Sequence, residues 1–200
     1  MSSLFDTIRA AVGIFAGTSV EDLVVLTTLF LSWHTLGRPR PAQVVLGWYL
    51  GIATLVGVSA AAALGLVLVP GHWVGLLGLA PLSIGVYKLI KTIRAVRRAV
   101  RVRPVMASGV LAVAGLAISN GGDNISVYVP VFRTIGVQRS LVMVTVFAAG
   151  VAVWCLAAQL LGSHKKIMEM IELYGHWIVP AVYMIVGSAI ILDSGVLQRL

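Results

Sequence analysis

Three acidic residues lie inside strongly apolar stretches of this chain. Glu21 and Asp22 fall near the middle of an apolar segment at about 10–33, and Asp123 falls within another at about 105–132. An aspartate at such a depth in a membrane costs roughly 2.5–3.5 kcal/mol on the insertion scale, which makes it a candidate functional residue. No lysine or arginine is predicted at comparable depth. The partners of these acids must therefore be a cation, a proton, hydroxyls or amides.

Polar side chains accompany the two aspartates at helical spacing. Thr18 precedes Asp22 by four residues, and Ser119 precedes Asp123 by four. Residues four apart share a helix face, so each hydroxyl can support its acid. The two asparagines of the second segment have the same spacing and pair on a neighbouring face. The predicted metal-binding set comprises Thr18, Glu21, Asp22, Ser119, Asn120, Asp123 and Asn124.

Glycines beside these acids predict breaks in the helices. Consecutive residues diverge by about 100° around a helix, so Glu21 and Asp22 reach one site only if their helix is broken. Gly17 and the pair Gly121-Gly122 are the candidate break points, because glycine loosens a helix and frees backbone carbonyls. Carbonyl, amide and carboxylate oxygens together favour a cation site.

The composition places these segments in a membrane. The 200 residues are 59% hydrophobic and 11% charged, with a mean hydropathy of +0.99, against about 45–50% apolar and about 25% charged residues in soluble domains. We therefore expect an all-α integral membrane protein with six transmembrane helices, each near the roughly 20 residues that a span requires. They lie at about 10–33, 43–69, 73–90, 105–132, 140–162 and 176–195.

The basic residues predict the orientation in the membrane. Eleven of the fifteen, Lys88 included, fall in the first, third and fifth loops. Because lysine and arginine mark the cytoplasmic side, both termini are predicted outside the plasma membrane. The densest run is interpreted as a topology anchor near anionic lipid, and its arginines are Arg94, Arg97, Arg98, Arg101 and Arg103. Since the net charge of +8 is concentrated there, nucleic acid is rejected as a partner.

The two halves of the chain resemble one another. The Thr-x3-Asp spacing of the first span returns as Ser-x3-Asp in the fourth, and Gly-His-Trp opens both the third and the sixth. Each half has an odd number of spans, so the second half is predicted to be inverted, with the site at the repeat interface. The predicted units are 1–90 and 105–200, joined by a basic cytoplasmic loop at 91–104. Gly13-x3-Gly17 and Gly47-x3-Gly51 predict close-packed helix faces.

Enzymatic chemistry is not expected. The sequence contains no HExxH, P-loop or dinucleotide-binding pattern, and no nucleophile–base pair can be assigned. The single Cys155 excludes an intramolecular disulfide framework and a redox pair. It is interpreted as a small buried hydrophobe or as an extra metal ligand. No permanently bound cofactor is expected.

Four stretches resemble the cadmium resistance transporter family, a branch of the LysE superfamily of six-span exporters. They are FAGTSVEDLVVLTTLF (15–30), GLLGLAPLSIGVYKL (75–89), SNGGDNISVYVPVF (119–132) and YGHWIVPAVYMIVGSAIIL (174–192). The resemblance implies export of cadmium or related divalent cations across the plasma membrane. It also implies Asp22 and Asp123 as central ligands, supported by Glu21, Thr18, Ser119 and Asn124.

Cadmium itself fits the two motifs imperfectly. It is a soft ion that favours thiolate or imidazole ligands, whereas the motifs carry no cysteine and Asn120 stands where a thiol would suit. Cys155 supplies sulfur only if the fifth span faces the site. The class of cation exporter is thus better supported than the metal's identity.

The expected mechanism is secondary export, in which protons compete with the metal for the carboxylates, since metal ligands must be deprotonated. One alternative is export of an amino acid or small cationic solute, whose ammonium group the acids would bind. Another is a non-transporting membrane scaffold. The sequence leaves open the preferred metal, the coupling ion and the oligomeric state, for which a homodimer is one option.

Overall fold

A computed structural model describes residues 4–68, 73, 75–95, 107–161 and 165–193, the last range with side chains from 177 to 192. Every regular element in these ranges is helical, which confirms the all-α prediction. The helices are α1 (Leu4–Thr18), α2 (Val20–Leu36), α3 (Pro41–Gly65), α4 (Leu79–Ala95), α5 (Val110–Gly121), α6 (Ile125–Ile135), α7 (Val137–Leu161) and α8 (Lys165–Asp193). Short 3₁₀ turns occupy Leu66–Leu68, Gly75–Gly78 and Gly122–Asn124.

The described helices make this a multi-pass membrane protein. Among them, three stretches are long and apolar enough to cross a bilayer, namely Pro41–Leu68, Leu76–Arg94 and Val137–Leu161. The pair α1 and α2, bent by 57°, counts as a fourth if it forms one span. Trp177–Leu192 is a shorter apolar helix. Length and hydropathy thus account for three or four of the six predicted spans.

Two of the predicted spans are interrupted close to the acids, as their glycines indicated. The first span breaks at Ser19, between α1 and α2, where Trp154 of α7 donates a hydrogen bond to the Ser19 carbonyl at 2.6 Å. The fourth span breaks at the 3₁₀ turn Gly122–Asn124, between α5 and α6. The first break bends the chain by 57° shortly before Asp22, and the second break contains Asp123.

Small residues set the spacing of α3 against α5. A methyl group on Gly51 would lie 2.5 Å from the Ala117 Cβ and 2.9 Å from the Ala114 carbonyl oxygen, and Gly47 meets Val113 in the same way. This confirms the predicted close-packed face of α3. The close-packed face predicted for the first span at Gly13-x3-Gly17 is confirmed at Gly17, which meets Val182 of α8. It is wrong at Gly13, which has no neighbour within 4 Å.

Helices α4 and α8 approach each other backbone to backbone. A methyl group on Gly187 would lie 2.7 Å from the Gly78 carbonyl oxygen and 2.7 Å from the Leu82 amide nitrogen, and Gly85 likewise faces Met184. Phe15 of α1 packs against Phe147 and Trp154 of α7 in an aromatic cluster. These contacts help to position the polar residues of α2, α4, α5 and α8 around the two breaks.

Candidate cation-binding site

A lysine joins the two helix breaks. Glu21 lies in the first turn of α2 and Asp123 in the 3₁₀ turn after α5, and both face Lys88 of α4. The Lys88 Nζ lies 2.7 Å from Asp123 Oδ2 and 3.1 Å from Glu21 Oε2. The three side chains are 19%, 25% and 45% exposed for Lys88, Asp123 and Glu21 respectively. The group is a half-buried three-residue ion cluster.

This cluster corrects two predictions. Lys88 was assigned to the third loop among the cytoplasmic basic residues, and the acids were expected to have no basic partner at their depth. In the structure α4 continues to Ala95, beyond the predicted start of the loop at 91, and Lys88 lies within the apolar stretch Leu76–Arg94. The misassignment arose because a lysine near the end of an apolar segment reads as the start of a loop. Helical periodicity alone does not show which face it occupies.

Asp22 has different surroundings from its neighbour Glu21. Its side chain is 2% exposed, and Asn120 Nδ2 of α5 donates a hydrogen bond to its Oδ1 at 2.6 Å. The predicted support from Thr18 is not formed, because the Thr18 hydroxyl donates to the Ile14 carbonyl at 2.9 Å. The spacing rule assumed a continuous helix, whereas the break at Ser19 separates the two residues.

The second break has the same effect on the predicted partners of Asp123 and Asn124. Ser119 is exposed and belongs to α5, whereas Asp123 lies in the 3₁₀ turn and pairs with Lys88. Asn124 is 1% exposed and accepts a hydrogen bond from the Tyr183 hydroxyl of α8 at 2.6 Å. The two asparagines predicted to pair with one another therefore bond to α2 and α8 instead.

Tyr183 is a site residue that the sequence did not reveal. Its hydroxyl holds Asn124, and its ring centroid lies 5.3 Å from Lys88 Nζ, within cation–π distance. The residue is fully buried. Tyr183 lies in an apolar segment with no acidic residue close to it in the sequence, so no pattern marked it as a site residue. Only the packing of α8 on α4 brings it to the ion cluster.

Buried hydroxyl and amide groups surround Asp22 as well. Within the described residues, Ser19 Oγ, Asn124 Nδ2 and the Tyr128 hydroxyl are buried without a hydrogen-bond partner. Tyr128 is fully buried close to Ser19 and Asn124 and within electrostatic reach of Asp22. A buried polar group without a partner costs about 1–3 kcal/mol. The region next to Asp22 is therefore polar enough to stabilise an ion or its hydration water.

The acids do not converge on one point. In the part of the chain that the structure describes, no three His, Cys, Asp or Glu side chains are grouped so as to hold a metal ion. Cys155, the predicted extra ligand, is a free thiol buried in the apolar core on α7. Of the predicted anchor arginines, Arg94 is exposed at the end of α4. The others lie outside the described residues: Arg97, Arg98, Arg101 and Arg103.

The fold and the site together define a multi-pass helical membrane protein with an acidic site between broken helices. The chain belongs to the cadmium resistance transporter family, whose family model matches residues 15–200. The match includes both breaks, the ion cluster and Tyr183. Membership makes the protein a transporter rather than an enzyme and implies a metal ion as its substrate. No curated protein and no solved structure matches the chain.

Proposed function

We propose that this protein exports cadmium or related divalent cations across the plasma membrane, with Glu21, Asp22 and Asp123 as cation ligands. The observation that carries the proposal is the position of the Lys88 ammonium, which sits 2.7 Å from Asp123 and 3.1 Å from Glu21. A carboxylate pair at the two helix breaks thus already binds a positive charge in this fold. Membership of the cadmium resistance transporter family supports a metal ion as the transported charge.

The proposed architecture has six spans in two inverted repeats, 1–90 and 105–200, joined by the basic loop 91–104. The pattern of helix contacts supports it. Helix α7 of the second half packs on α1 and α2, α3 of the first half packs on α5 and α6, and α4 packs on α8. A two-fold axis relating the halves would produce this exchange of partners. The site then lies at the repeat interface, where transporters of this plan bind their substrates.

The proposed cycle begins with binding of the metal to ionised carboxylates from the cytoplasmic side. Asn120 already donates a hydrogen bond to Asp22. Thr18, Ser119 and Asn124 are the remaining candidate ligands that could offer an oxygen atom to the metal. The repeats then rock to open outward, and protons compete for the carboxylates and release the metal. Without Lys88, ten basic residues remain in the first, third and fifth loops, against four on the opposite side of the membrane. The excess still supports a cytoplasmic basic loop.

Transport by inverted vesicles carrying an imposed pH gradient tests the ligand assignment. Glu21→Gln, Asp22→Asn and Asp123→Asn remove one charge each with little change in size, and each is expected to lower cadmium uptake at least tenfold. Asp6→Asn is the matched control, because Asp6 is exposed in the first turn of α1 and lies before the family match. Normal uptake by both the Asp22 and the Asp123 variants would refute the assignment.

A second candidate function is export of an amino acid or other small solute with an ammonium group. The specific observation is that a primary ammonium, that of Lys88, fits between Glu21 and Asp123. Lys88 also supplies a basic group beside the site that could pair with the carboxylate of such a solute. No basic residue at this depth was predicted from the sequence. A growth test of a sensitive host separates the candidates by comparing cadmium, zinc, manganese, nickel, copper and a lysine-rich dipeptide. Protection against the dipeptide alone would favour this second function.

A further inference from the structure

The Lys88 ammonium is held from several sides. Besides Asp123 and Glu21 Oε2, it donates to Glu21 Oε1 at 3.3 Å and faces the Tyr183 ring at 5.3 Å. One turn earlier, Gly85 packs α4 tightly against α8, with its added methyl position 2.9 Å from the Met184 amide nitrogen. The backbone that carries Lys88 is therefore fixed, and its four-carbon stem allows the charge to move.

We propose that Lys88 is a tethered counter-cation that occupies the substrate's position between Glu21 and Asp123 and that the transported cation must displace. The inference rests on the proposed function, since it assumes that these two carboxylates are cation ligands. It assigns to Lys88 a role in selectivity and release. A purely structural ion pair would have neither.

Selectivity follows from charge. A tethered group competes at a high local concentration, about millimolar or more for short tethers. A monovalent ion gains no more Coulomb energy from the two carboxylates than the ammonium that it replaces, whereas a divalent ion gains about twice as much at equal distance. Lys88 therefore excludes sodium and potassium, which are abundant, and admits divalent ions.

Release follows from the nearby tyrosine. Tyr183 is fixed through its hydrogen bond to Asn124, and its ring, which already faces the Lys88 ammonium at 5.3 Å, keeps a cation–π attraction on that ammonium when the metal takes the carboxylates. When the site opens outward, the ammonium returns to the carboxylates and helps to expel the metal. The Lys88 ammonium then occupies the site while the protein returns to its starting conformation.

The test measures cadmium binding to the purified full-length protein. Lys88→Met keeps most of the apolar stem and removes the charge, Lys88→Arg keeps the charge, and Lys91→Met is the matched control on an exposed position of the same helix. Lys88→Met is expected to bind cadmium about 10- to 100-fold more tightly, because no charge-assisted hydrogen bonds to the carboxylates have to be broken. Its turnover in proteoliposomes falls. Lys88→Arg and Lys91→Met retain binding near that of the wild type.

Salt provides the selectivity readout. Sodium chloride is expected to weaken cadmium binding to Lys88→Met more than choline chloride does at equal ionic strength, and to show no such difference in the wild type. Unchanged or weaker cadmium binding by a folded Lys88→Met variant would overturn the inference, as would the absence of sodium competition.

In the wild type, which needs no substitution, cadmium should increase the chemical labelling of the Lys88 amine relative to that of Lys91. An unchanged or lower labelling rate would count against displacement.

Failure of the inference is distinguishable from failure of the proposed function. If Glu21→Gln and Asp123→Asn abolish cadmium binding while Lys88→Met does not tighten it, the carboxylates are ligands and Lys88 is a structural ion pair. If both carboxylate variants bind and export cadmium normally, the ligand assignment itself is wrong, and the role of Lys88 falls with it.

Discussion

Substitution of Gly51 by alanine tests whether the approach of α3 to α5 positions the site. The added methyl group would lie 2.5 Å from the Ala117 Cβ and 2.9 Å from the Ala114 carbonyl oxygen, and the second of these atoms belongs to the backbone. Relief of the overlap requires the two helices to separate by roughly 1 Å, at a cost of about 1–3 kcal/mol for overpacking. The higher helix propensity of alanine offsets about 0.5–1 kcal/mol of this.

The same substitution at Gly57 is the control, since that residue lies in the same helix and has no neighbour within 4 Å. Thermal unfolding of the purified protein in detergent measures both variants. We expect Gly51→Ala to be destabilised by about 1–2 kcal/mol, or a Tm lower by about 2–8 °C, and Gly57→Ala to be equal to or slightly more stable than the wild type. Equal Tm values for the two variants would refute the packing argument.

Three further predictions concern side chains around the breaks. Asn120→Ala removes the 2.6 Å hydrogen bond to Asp22, and we expect a loss of about 1.5–3 kcal/mol in the unfolding free energy, together with reduced cadmium export in vesicles. Tyr183→Phe retains the ring beside Lys88 but loses the bond to Asn124, so unfolding measurements should show a loss of about 0.5–1.5 kcal/mol. Cys155→Ala should leave vesicle export within about twofold of the wild type, because the thiol is buried in the apolar core of α7; a larger loss would make Cys155 a ligand.

The helix breaks were predictable because their cause is local. Glycine near an acid in an apolar segment indicates an interruption, and the structure has one at Ser19, two residues after the predicted Gly17, and another at Gly122–Asn124. The close-packed face of α3 was predictable for a similar reason, since Gly47 and Gly51 are four residues apart on one face. Glycine patterns within a single segment thus indicated both helix breaks and the contact of α3, although the same kind of pattern was wrong at Gly13.

The partners of the acids were not predictable because they come from other segments. Spacing within a helix indicated Thr18 for Asp22, yet the break that the same stretch predicts removes that relation. Asn120 takes the position instead. Lys88 and Tyr183 reach the site through the packing of α4 on α8, and nothing in their own segments distinguishes them from a loop lysine and a core tyrosine. A rule for residues four apart holds only while the helix is continuous.

Two aspartates that are equivalent in sequence are therefore unlike in their environments. Asp123 is 25% exposed and paired with Lys88, whereas Asp22 is 2% exposed and held by an amide. Because Glu21 is 45% exposed and Asp22 is buried, a cation that enters the site meets the charged Glu21–Lys88–Asp123 cluster before it meets Asp22. This order agrees with the proposed displacement of Lys88 before contact with Asp22.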